Sequence, residues 1–130
     1  MRGGNPNVSR QEIIKIQNII ECLGFELATK HQTEPDIFEK EKKLTPKQIF
    51  ERDLDWIKES DFCIFEISNP SLGVGSEISD ALVLGKPVLC LFRKDLEETV
   101  SAYIQGKAKC FGYQSLEDIR NLISIFVKSI

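Results

Sequence analysis

A parallel β-sheet flanked by helices is the fold class that three features of the sequence predict. Short apolar, β-prone runs alternate with amphipathic helical segments, a glycine-containing turn joins one such run to a helix, and helix starts and stops carry serine, threonine, proline and glycine. At 130 residues the chain is expected to form one domain, 1–130. A hydrophobic fraction of 42% and a charged fraction of 28% are those of a folded chain with an ordinary core.

Ser9 to Leu23 is predicted helical: Ser9 and Glu12 form a capping box, Ile13, Ile14, Ile16, Ile19, Ile20 and Leu23 build one face, and Gly24 stops it. Phe25–Ala28 is a short strand candidate, and the polar stretch Lys30–Lys43 lacks a clean period and is expected to be a loop. Thr45, Pro46 and Gln48 start a second helix that runs to about Glu59, with Ile49, Phe50, Leu54 and Ile57 inward. Phe62–Ile67 is mainly apolar, as in a strand covered on both faces. Ser68–Gly75 is turn-rich, and Ser76–Leu84 is a helix ended by Gly85. Pro87–Phe92 is the next strand, Leu96–Ile104 a helix and Lys109–Tyr113 a last strand. Ser115–Val127 closes the series as an amphipathic helix with Leu116, Ile119, Leu122, Ile123 and Phe126 inward. Ligands of such a sheet bind at the carboxyl ends of the strands. Because Met1-Arg2-Gly3-Gly4 leads into a helix with no strand before it, the sheet is expected to lack its first strand, an element of about 5 to 10 residues.

The composition excludes several functions. A net charge of −3, a pI near 5.3 and the lack of a Lys/Arg stripe with interleaved aromatics argue against nucleic-acid polymers as partners. Cys22, Cys63, Cys90 and Cys110 have no zinc-binding spacing, so no metal is expected. Cys63 and Cys90 lie in apolar runs, which suits a reducing compartment. No apolar stretch approaches a membrane span and no signal peptide is recognised, so a cytosolic protein is expected, with the nucleus as the alternative.

The segment with chemical potential is Asn69-Pro70-Ser71-Leu72-Gly73-Val74-Gly75-Ser76-Glu77. Its glycines let backbone amides approach a ligand, Ser71 adds a hydroxyl, and the amides from Gly73 to Glu77 are expected to point at an anion from a helix N-terminus, with Glu77 in the first turn. The same pattern also serves as an ordinary turn and helix cap. Other residues have plain readings: His31 as a surface group, Trp56 as packing, Glu66 as a site-facing or edge residue, Arg93 as an ion-pair partner and Lys40–Lys47 as a solvated segment.

A wider pattern decides between these readings. Asp61-Phe62-Cys63-Ile64-Phe65-Glu66-Ile67-Ser68, Pro70-Ser71-Leu72-Gly73-Val74-Gly75-Ser76-Glu77 and Gly85-Lys86-Pro87-Val88-Leu89-Cys90-Leu91-Phe92-Arg93 closely resemble the 2'-deoxynucleoside 5'-monophosphate N-glycosidases of the nucleoside 2-deoxyribosyltransferase superfamily. The resemblance extends through Glu51-Arg52-Asp53-Leu54-Asp55-Trp56 and Val100-Ser101-Ala102-Tyr103-Ile104-Gln105-Gly106. It implies a flavodoxin-like fold, a homodimer, and hydrolysis of a deoxynucleoside monophosphate to free base and 2-deoxyribose 5-phosphate. By position, Glu77 matches the catalytic glutamate at the anomeric carbon and Asp53 the acid that assists proton transfer. Ser71 and Gly73 match phosphate contacts, with Gly75 in the same loop, and Ser101 matches a serine that reaches the neighbouring subunit's ligand. Arg2, Gly3 and Gly4 match the loop that lines the nucleotide pocket. Tyr103 replaces a slimmer residue near the phosphate.

Two carboxyl groups can perform this chemistry without metal or other cofactor: one stabilises or captures oxocarbenium character, the other helps move a proton. Base exchange between deoxynucleosides is the alternative within the superfamily, and a noncatalytic nucleotide-binding module the alternative outside it.

Overall fold

The structure is a computed structural model that describes residues 8–29 and 34–130. In chain order its elements are α1 (Arg10–Cys22), α2 (Ile37–Lys42), α3 (Pro46–Glu59), β1 (Cys63–Glu66), α4 (Leu72–Val83), β2 (Val88–Arg93), a 3-10 turn (Lys94–Thr99), α5 (Ala102–Lys107), β3 (Lys109–Tyr113) and α6 (Leu116–Lys128).

Hydroxyl caps set most helix starts. Ser9 and Glu12 exchange backbone-to-side-chain bonds of 3.2 and 3.0 Å at α1, and Thr45 and Gln48 do the same at 3.1 and 2.8 Å at α3. Ser71, Ser101 and Ser115 cap α4, α5 and α6. Gly24 and Gly85, at φ +95° and +76°, take the left-handed conformation just after α1 and α4, where a side chain would be strained.

The strands form a parallel sheet in the order β1-β2-β3, with Phe65 beside Cys90 and Cys90 beside Cys110. One face packs Leu89, Leu91 and Tyr113 against Ile16 and Ile20 of α1 and Ile119, Ile123 and Phe126 of α6. The other packs Cys63, Val88 and Cys90 against Ile57 of α3 and Ile78 and Ala81 of α4. This double cover explains why all of β2 but its last residue is buried. The amide of Cys63 donates to the Pro87 carbonyl just before β2, and that of Ile67, just after β1, donates to Leu91 of β2. The alternation of a parallel ladder therefore turns the backbone groups of Ile64 and Glu66 toward the opposite edge, where no strand lies among the described residues.

Several expectations are corrected. Phe25–Ala28 is not a strand: Phe25 meets Phe62 edge-on at 5.1 Å, but the segment has no ladder partner among the described residues. The expected loop over Lys30–Lys43 contains α2, whose spacing places Ile37 and Glu41 on one side. Helix α4 begins at Leu72, four residues before the expected start, because Ser71 caps it despite the glycines in its first turns. The expected helix Leu96–Ile104 is interrupted where Val100 takes an extended, buried conformation and Ser101 starts α5 anew. Phe50 and Leu116, expected inward, are exposed although each shares a helix face with a buried residue seven positions on, Ile57 and Ile123, because both stand near the starts of their helices.

Candidate functional site

A cavity of about 960 Å³ runs along the outer edge of β1, within the size range of small-molecule sites. Its walls come from α1, residues 25–29, α2, α3, β1 and the start of α4. Asp53, Ser71, Gly73 and Glu77 all line it, so residues far apart in sequence face one cavity.

Helix α4 supplies the anion-facing part. Ser71 Oγ accepts the Val74 amide at 3.3 Å, and the Gly75 amide already bonds to the Ser71 carbonyl at 3.1 Å. The amides that precede the helical ladder and can turn to a ligand are thus those of Leu72 and Gly73, not the series from Gly73 to Glu77. Ser71 retains its hydroxyl proton for donation. Glu77 lies in the second turn of α4, a correction that follows from the earlier helix start. It is half-buried and faces the same cavity. Gly75 is in α4 but does not line the cavity.

Asp53 comes from α3 and is oriented by its neighbour. Arg52 Nε and Nη2 lie 3.0 and 2.9 Å from Asp53 Oδ1, and Nη2 also lies 3.0 Å from Glu41 Oε1. The guanidinium stacks over Trp56 at 4.7 Å. Glu41, buried and on the cavity wall, was not recognisable in its Lys-rich segment. Arg52 stands in the Glu51-Arg52-Asp53 run, but nothing in the spacing marked its bridging position.

Beneath the loop, Glu66 ends β1 on the cavity wall. It accepts the Ser68 amide at 2.6 Å and the Tyr113 hydroxyl. Burial pushes its carboxyl above the usual carboxylate range, against the pull of these bonds, and burial together with Glu66 pushes the Tyr113 phenol up. Arg93 is engaged with Asp95 at 2.8 Å and lies 3.9 Å from Glu12, an ion-pair position away from the cavity of Glu77. Ser101 is exposed on α5 and outside that cavity. Arg2, Gly3, Gly4 and His31 lie outside the described residues. Among the described residues no cluster of three or more His, Cys, Asp or Glu could hold a metal, and no helix is long and apolar enough to cross a membrane.

Fold and cavity together define a flavodoxin-like α/β protein whose strand ends carry an acid-lined pocket beside a helix N-terminus. The nucleoside 2-deoxyribosyltransferase family model matches residues 7–118, and the chain belongs to that family. A Thermofilum pendens protein named as a candidate 2'-deoxynucleoside 5'-phosphate N-hydrolase is 40% identical over 106 residues, covering 82% of this chain and 72% of the relative. The 5-hydroxymethyl-dUMP N-hydrolase of Esox lucius is 36% identical over 111 residues, covering 82% and 73%. The structure is also similar to a CMP N-glycosidase of Clostridium botulinum, with a TM-score of 0.65 at 23% identity over 89% of this chain and 91% of that one, a likeness that bears on the fold. The family resemblance drawn from residues 51–106 is thereby borne out.

Proposed function

We propose that this protein hydrolyses the N-glycosidic bond of 2'-deoxynucleoside 5'-monophosphates, releasing free base and 2-deoxyribose 5-phosphate. The observation that carries the reading is the convergence of Glu77, Asp53, Ser71 and Gly73 on one cavity. Family membership and the names of the relatives support the reaction class.

The phosphate sits against the Ser71 hydroxyl and the amides of Leu72 and Gly73, where the α4 N-terminus favours negative charge. This places the sugar near Glu77. As the C1'–N bond breaks, its electron pair leaves with the base, which is protonated with help from Asp53. The Glu77 carboxylate stabilises the oxocarbenium centre or bonds to C1', and water then adds at C1' and frees it. Arg52 keeps Asp53 turned to the cavity. A deoxy sugar suits this route because a 2'-hydroxyl would withdraw electrons from the developing cation.

The active form is a homodimer in which Ser101 reaches the neighbouring subunit's ligand. Its exposed position outside its own subunit's cavity supports this arrangement. So do exposed apolar side chains on two joined helices: Leu72 and Val83 of α4 are 97% and 87% exposed, and Tyr103 of α5 is 75% exposed. Lys107 of α5 holds Ser79 of α4 at 2.8 Å. Free thiols at all four cysteines support a reducing, cytosolic setting.

Chromatography after incubation with a panel of deoxy- and ribonucleoside monophosphates and unphosphorylated deoxynucleosides tests the reading. Free base and 2-deoxyribose 5-phosphate from the deoxynucleotides are expected. Preference for the unphosphorylated nucleoside, or binding without turnover, would reject it.

A further inference from the structure

The ends of all three strands converge on the turn that precedes Ser71. Glu66, at the end of β1, accepts the Ser68 amide through one carboxyl oxygen and the hydroxyl of Tyr113, at the end of β3, through the other. That second bond crosses over β2. The Ser68 hydroxyl accepts the Arg93 amide at the end of β2 at 2.8 Å, and the Ser68 carbonyl accepts the Thr99 hydroxyl at 3.5 Å. Asn69 accepts from the Val8 amide at 3.2 Å and donates to the Val8 carbonyl at 3.3 Å. Glu66, Ser68, Asn69 and Tyr113 are all buried.

Such a concentration of buried polar groups is costly to desolvate, and apolar side chains would fill the same volume with no unmet bonds. Its geometric result is specific. The turn at 68–70 is fixed from β1, β2, β3 and the lead into α1, so Ser71 and the first amides of α4 have one position. A site that grips an anion through two amides and a hydroxyl depends on that position to within a fraction of an ångström.

We infer that Glu66 and Tyr113 are positioning residues for the phosphate-gripping turn: they set affinity for the substrate's anionic end without taking part in bond cleavage. The inference rests on the proposed deoxynucleotide reading. The groups facing this pair are Glu12 from α1 and Arg93 from β2, and Arg93 meets the turn through its backbone amide.

Steady-state kinetics of Tyr113→Phe and Glu66→Gln with a deoxynucleoside monophosphate test it. Tyr113→Phe removes one donor, and the expected effect is a rise in KM of about tenfold with kcat within about threefold of wild type. Glu66→Gln retains an acceptor for Ser68 and a donor for the Tyr113 oxygen, so its KM is expected within about threefold of wild type. A merely structural role lowers the active fraction and hence kcat, leaving KM in place. A KM for Tyr113→Phe within about threefold of wild type overturns the inference, whatever happens to kcat. Should that variant not fold, Ser68→Ala is read by the same criterion. If wild-type protein cleaves no monophosphate, the proposed function itself falls; if wild type is active and Tyr113→Phe keeps its KM, only the positioning role falls.

Discussion

Replacing Arg52 by leucine probes the charged bridge that orients Asp53. The guanidinium lies between Glu41, whose side chain is 8% exposed, and Asp53, at 21%, and is itself 24% exposed. Removing one member of a fully buried ion pair costs about 3–5 kcal/mol. The Asp53 arm is partly solvated and contributes at most about 1 kcal/mol, so most of the loss falls on the buried Glu41 carboxylate. Lost stacking on Trp56 adds about 0.5–1 kcal/mol, and leucine restores part of the apolar stem. Because the guanidinium is itself partly exposed, water offsets about half of the buried-pair cost, and the expected total is about 2–3 kcal/mol, which for a chain of this length lowers Tm by about 6–15 °C. Turnover of a deoxynucleoside monophosphate should fall more than about tenfold, because Asp53 loses the group that fixes its direction. Arg52→Lys should recover less than half of the stability, since one ammonium cannot reproduce a fork that spans two carboxylates. Urea denaturation alongside steady-state kinetics measures both effects. A leucine variant within about 0.5 kcal/mol of wild type and with unchanged kcat would refute the bridge as an orienting device.

Three further outcomes follow from the same structure. Ser71→Ala removes the α4 cap, so chemical denaturation should register a loss of about 1 kcal/mol and kinetics a raised KM for the monophosphate; unaltered KM would separate Ser71 from the phosphate. Gly85→Ala forces a side chain into a backbone at φ +76° and should cost about 1 kcal/mol in Tm or urea measurements, whereas equal stability would contradict the strain argument. Burial raises the Glu66 carboxyl, so its favourable contribution is present below the ordinary carboxylate value and is lost as pH rises through the folded-state value. The stability of Glu66→Gln relative to wild type should therefore increase from about pH 5 to about pH 8, and a constant difference across that range would count against a strained buried carboxylate.

Local signals made much of this legible. The capping boxes at Ser9 and Thr45 and the stop at Gly85 depend on neighbours within four residues, and the structure places those ends where the sequence indicated. Strand β3 coincides with Lys109–Tyr113 because glycine and serine punctuation surrounds it. The loop before Glu77 was read with the wrong boundary: two glycines resembled a turn, yet Ser71 capped a helix that contains both. Contacts between distant segments were the hidden part. Glu41 meets Arg52 across two helices, and Glu66 meets Tyr113 across an intervening strand, and no period or spacing encodes such meetings. Phe25–Ala28 had the composition of a strand, but a strand is defined by its partner, and none adjoins it among the described residues.

The central claim is that the Glu77 carboxylate acts at the anomeric carbon. Its most direct measurement is the rate of base release by Glu77→Gln from a 2'-deoxynucleoside 5'-monophosphate, with Tm recorded on the same preparation. A folded variant whose kcat is lower by at least about 100-fold, with KM within about threefold, is the predicted result. Base release at the wild-type rate would contradict it.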